Sequence, residues 1–87
     1  MAHIFNIYFT YEGSSYNAIV SVRKTPFFTE YTLNNFNEEL MEKLPGNKII
    51  SKGREHFIFQ YTTPQHSEKL MSAIITAVAE HMQTMKI

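Results

Sequence analysis

The side chains that could do chemistry in this chain are four histidines, His3, His56, His66 and His81, a group of three glutamates, Glu38, Glu39 and Glu42, and a serine pair, Ser14 and Ser15. A histidine metal site needs imidazoles that leave one face of an element together, and no two of these four have such a spacing. Acid–base catalysis needs two carboxyls in unlike environments facing one substrate. The three glutamates instead follow one another along what reads as the wet side of a helix. Ser14 and Ser15 follow Glu12-Gly13, where serine is common for turn reasons alone. There is no GxSxG, no HExxH and no phosphate-cradling loop, and three glycines leave little material for one. No catalytic residue, no metal and no cofactor is therefore assigned, and the leading reading is non-catalytic, with an enzyme kept as an alternative. His56 is the histidine that stands apart, because strand alternation would place it on a sheet face with no helix over it.

Composition narrows the field further. The 87 residues carry eight Lys/Arg against eight Asp/Glu, a formal charge of zero. Proteins whose main task is holding phosphate backbones carry a basic excess, so nucleic acid is not the expected partner. The absence of cysteine removes disulfides, thiolate catalysis and thiolate metal sites together. A hydrophobic fraction of 44% with zero net charge is the composition of a folded chain, and the length suits one domain, residues 1–87. No signal peptide is visible. The longest uncharged run near the C-terminus, Leu70 to Ala79, is about half the ~20 residues a membrane span needs. A soluble cytoplasmic protein without a membrane partner is expected.

Side chains need elements to position them. In residues 3–11, Phe5, Ile7, Phe9 and Tyr11 alternate with Ile4, Asn6, Tyr8 and Thr10. In residues 16–23, Tyr16, Ala18, Val20 and Val22 alternate with Asn17, Ile19, Ser21 and Arg23. Two such runs around a glycine-containing turn predict an antiparallel hairpin, which Thr25-Pro26 ends. Residues 27–33, Phe-Phe-Thr-Glu-Tyr-Thr-Leu, read equally as a packed loop or a further strand. Asn35 with Glu38 has the spacing of a capping box, and Phe36, Leu40, Met41 and Leu44 share one face of a helix that Pro45-Gly46 stops. A second hairpin is expected from residues 48–51 and 54–62 around Lys52-Gly53. Thr63-Pro64 then opens a long helix to about residue 84, with Leu70, Met71, Ile74, Ile75, Val78, Met82 and Met85 as its apolar stripe.

The order is ββαββα. It predicts an α+β two-layer sandwich: a mainly antiparallel sheet of four strands, five if residues 27–33 add one, with both helices on one face. The residues left on the bare face include Ile4, Tyr8, Ile19 and Ile58 with Asn6, Ser21, His56 and Gln60, too apolar for a freely wet surface and too polar for a core. Such a face is a candidate interface. Tyr8, Ile19, His56 and Ile58 are the binding residues assigned to it. A shortage of core in so small a chain favours a homodimer or another protein partner. A second reading is a small-ligand pocket, or a modest enzyme, near His56, Tyr8 and Phe27-Phe28. A third is single-stranded nucleic acid on the open face. The segment Lys52–Phe59 departs from the RNP1 pattern of RNA-binding sheets, with Arg54 and Glu55 where aromatic and small residues belong. Charge is also uneven: residues 30–42 hold acids and no Lys or Arg, and residues 43–54 hold bases and no acid. The two blocks read either as solvated surfaces or as patches that pair across a symmetric dimer.

Overall fold

A computed structural model describes residues 3–52, 56–60 and 65–84. The elements are β1 (His3–Tyr11), β2 (Ser14–Lys24), β3 (Thr29–Asn34), α1 (Glu38–Met41), β4 (Lys48–Ser51), β5 (Phe57–Phe59) and α2 (Glu68–Thr84). The class is α+β. All five strands pair antiparallel in one meander, β1-β2-β3-β4-β5.

The first hairpin turns in two residues. Glu12 and Gly13 have φ of 49° and 81°, the left-handed pair whose twist matches that of the flanking strands. Ser14 and Ser15, expected in the turn, instead belong to β2 and oppose Tyr11 and Thr10. The register then stacks Phe5 on Val20 and Ile7 on Ala18, one face buried and the other exposed.

The expected order ββαββα is corrected by β3, and the sheet has the five strands expected if residues 27–33 add one. Residues 29–34 form a central strand bonded on both sides, to β2 and to β4. Tyr31 and Leu33 alternate into the core while Glu30 and Thr32 take the open face. The first helix is corrected too. Asn35 adopts φ 53°, left-handed backbone that cannot serve as the extended cap residue. Asn37 takes that role: its side chain accepts from the Leu40 N–H at 3.1 Å. Only Glu38–Met41 is α-helical, and bonds three residues apart (Lys43 N–H to Leu40 O, Leu44 N–H to Met41 O) wind the chain down behind it. Leu40 and Leu44 still reach the core.

Among the described residues of the second hairpin's long arm, Phe57–Phe59 is strand, and residues 54, 55, 61 and 62 lie outside the described residues. The Gly53 turn, the Thr63 cap, the Pro64 start and Met85 lie outside the described residues. In the described part of α2, Ser67 holds the cap position, its Oγ accepting from the Leu70 N–H at 3.2 Å and its carbonyl from the Met71 N–H at 3.0 Å.

A sheet carrying two helices side by side is not what forms. α2 supplies the second layer nearly alone, with Leu70, Ile74 and Val78 fully buried. Its main packing is on β1, one edge of the sheet, with a smaller contact on β5, the other edge. α2 lies over the concave side of the twisted sheet and touches both of its edges. The concave side holds Phe5, Ile7, Ala18, Val20, Leu33, Ile49 and Phe59 in one cluster with the helix.

Candidate interaction surface along β1

The convex face of the sheet is the bare face, and the register divides it. Ile19 opposes Asn6, so it sits diagonally between Ile4 and Tyr8 on the neighbouring strand. Ile4 is 61% and Tyr8 74% exposed, and Ile19 is half-buried. These three form an apolar patch at the β1 margin, within reach of one another across the pair. Ile58, 55% exposed, stands on β5, four strand spacings away, roughly 19 Å along the sheet. It opposes Ile50, which is buried although it lies on this face.

Between the two apolar patches runs a polar column on β3, with Glu30, Thr32 and Asn34. Glu30 Oε1 lies 3.4 Å from both Arg23 Nη2 and Lys48 Nζ, and Asn34 Nδ2 donates to Ser21 Oγ at 2.7 Å. The acidic and basic blocks of the sequence thus meet within the chain at Glu30 and Lys48. Such half-exposed pairs contribute little to stability; what they do here is split the face. Tyr8 and Ile19 are brought together, and Ile58 is held apart from them. His56 is exposed one residue before β5, at the far edge from Tyr8.

Phe27 is the most exposed large apolar side chain described, at 82%. It does not plug the end of the core. Thr25 holds it out: Thr25 Oγ1 accepts from the Phe27 N–H at 3.2 Å and from the Phe28 N–H at 3.0 Å, and donates to the Phe28 carbonyl. Phe28 beside it is half-buried.

On the other side of β1 a groove of about 640 Å³ runs between this strand and α2. Tyr8, Phe9 and Thr10 form one wall, and the floor is the outer face of the helix, with Ser72, Ala73, Thr76 and Ala77 between Lys69 and Glu80. Sequence reading missed this groove, because it recognised only the buried stripe of α2. The signal that could have found it is the second period along the same helix, small residues at 72, 73, 76 and 77 bracketed by Glu68-Lys69 and Glu80. A smaller groove of about 420 Å³ flanks the other side of α2, along Phe57–Phe59, Met71 and Ile75. His56 lines neither groove.

Two contacts set the direction of the helix. Tyr11 Oη is 3.3 Å from Ser67 Oγ at one end, and the Phe5 and His81 rings stack at 3.8 Å between centroids at the other. α2 thus runs antiparallel to β1. Tyr8, midway from Tyr11 to Phe5, stands level with the middle of the helix. It belongs to both surfaces, the Ile4–Ile19 patch on the convex face and the wall of the groove.

Burial pushes the Tyr31 phenol above the ordinary value of 10.0. It lies on the concave side, away from these surfaces. Among the described residues no helix is long and apolar enough to cross a membrane. No protein-family model matches this chain, and no curated protein or solved structure does either.

Proposed function

We propose that this chain is a non-catalytic module that associates with protein, itself in the first instance, through the margin of the sheet at β1. The observation that carries the reading is the position of Tyr8: it is 74% exposed on an edge strand of nine residues, with an apolar patch on one side and a groove on the other. Long edge strands with apolar side chains are surfaces that chains either cover or use, and aromatic side chains of this kind supply much of the energy of interfaces. Ile4 and Ile19 extend the apolar contact, and Asn6, Asn17 and Ser21 surround it with a polar rim. Ile58 belongs to a separate patch and is not part of this contact.

Light scattering coupled to size exclusion, up to high micromolar concentration, tests the proposal. The expected result is a concentration-dependent dimer that Tyr8→Glu converts to monomer and Ile58→Glu leaves intact. A wild-type chain that stays monomeric at every concentration would dispose of self-association.

A further inference from the structure

We infer that the occupant of the groove beside β1 is a second copy of this chain, docked about a two-fold axis with its α2 antiparallel to the first. This deepens the self-association reading and rests on it. The argument is one of symmetry and charge. A two-fold axis through the midpoint between Ile74 and Ile75 brings together residues equidistant from that point. On the groove face this pairs Lys69 with the partner's Glu80, and Glu80 with the partner's Lys69, while Glu68, which also lines the groove, comes opposite the partner's His81. Ser72 then meets the partner's Ala77, and Ala73 meets the partner's Thr76. Each pair of charges is opposite in sign, and the residues between them are short enough for two helices to approach at the close end of the usual ~8–10 Å. A partner of unrelated sequence has no reason to present this same order reversed; a second copy does so by symmetry.

The strand supplies an independent check on where the axis falls. From Ser67 to His81 the helix rises ~21 Å, and from Tyr11 to Phe5 the strand runs ~20 Å. The contacts at both ends tie these lengths together. The centre of the charged face, at 74.5 by position, therefore lies level with Tyr8. The same axis that matches Lys69 to the partner's Glu80 brings the two Tyr8 rings to the middle of the interface, where an aromatic anchor contributes most.

Charge reversal tests this arrangement. Lys69 and Glu80 are exposed, and circular dichroism with thermal unfolding establishes that Lys69→Glu and Glu80→Lys keep the fold before the dimer is compared. Each single variant places two like-charge pairs in the dimer and is expected to raise its dissociation constant roughly tenfold at low salt. The double variant, Lys69→Glu with Glu80→Lys, restores opposite signs across the axis and is expected to return to the wild-type value. Rescue within one chain is not available, because the two positions are ~16 Å apart along the helix. A dimer that Tyr8→Glu dissociates but that ignores both single reversals, or a double variant as weak as the singles, overturns the arrangement and leaves self-association through β1 standing. A chain monomeric throughout overturns both.

Discussion

Tyr31 shows what burial does to a single group. Its side chain is 4% exposed on the concave side of β3, against Phe57 with ring centroids 5.4 Å apart. Desolvation disfavours the phenolate, so the folded chain holds the proton to higher pH than the unfolded chain does. The folded-state value lies above the unfolded one, so the stability this provides is complete below the unfolded value of ~10 and is lost as pH rises through the folded one. Urea midpoints measured from neutral pH to about 11 should fall at the alkaline end. Tyr31→Phe should flatten that fall while changing the neutral midpoint little. An equally steep loss in the variant would assign the alkaline transition to other groups. At this same scale the convex face is decided by neighbours: Ile4 and Tyr8 reach each other through Ile19, whereas Glu30 draws Arg23 and Lys48 into a charged column.

The elements are held at their ends by particular side chains. Ser67 closes the first turn of α2 from Leu70, ties its own N–H to the Lys43 carbonyl, and faces the Tyr11 hydroxyl. One small residue thus joins α1's tail, β1 and α2. Ser67→Ala should cost about 1 kcal/mol by thermal or urea unfolding, the usual loss for an N-cap oxygen. A change near zero would mean that the helix starts upstream and the cap is redundant. Asn37 does the same for α1, and the sequence makes Asn35 look equally suitable. What separates them is the backbone, left-handed at Asn35 and extended at Asn37. The hairpin of β1 and β2 was legible because alternation and a glycine turn are local signals. The strand character of 29–34 was not, because a central strand is stabilised by ladders on both sides, and those depend on residues 19–24 and 48–51.

Across the whole molecule the decisive feature is that one helix serves both edges of the sheet. Ile74 is fully buried at the middle of α2, among the side chains from the concave face. Ile74→Ala should destabilise by roughly 2–5 kcal/mol, the range for truncating a fully buried isoleucine. Hydrogen exchange should quicken in β1 and β5 together, because both lean on the same helix, and less at the β2–β3 pairing. Faster exchange confined to one edge would mean that α2 is not their common support. Charge is also distributed at this scale. The turn of β1–β2 and α1 lie at the same end of the sheet, so Glu12, Glu38, Glu39 and Glu42 gather there, while Arg23, Lys24 and Lys52 lie toward the other end. Lys43 and Lys48 at the first end and Glu30 at the second offset part of this separation.

Taken alone, the sequence determined the α+β class, the first hairpin with its buried and exposed faces, the apolar stripe of α2 and the residues Tyr8, Ile19 and Ile58 as open-face positions. Each follows from a period of two or 3.6 and so from neighbours along the chain. Tertiary structure alone decided that Tyr8 and Ile19 share a patch while Ile58 stands at the opposite edge, that β3 runs through the centre, and that α2 leaves a groove beside β1. Periodicity tells which face a side chain takes; only the pairing order of the strands, set by contacts between distant segments, tells which side chains on that face become neighbours.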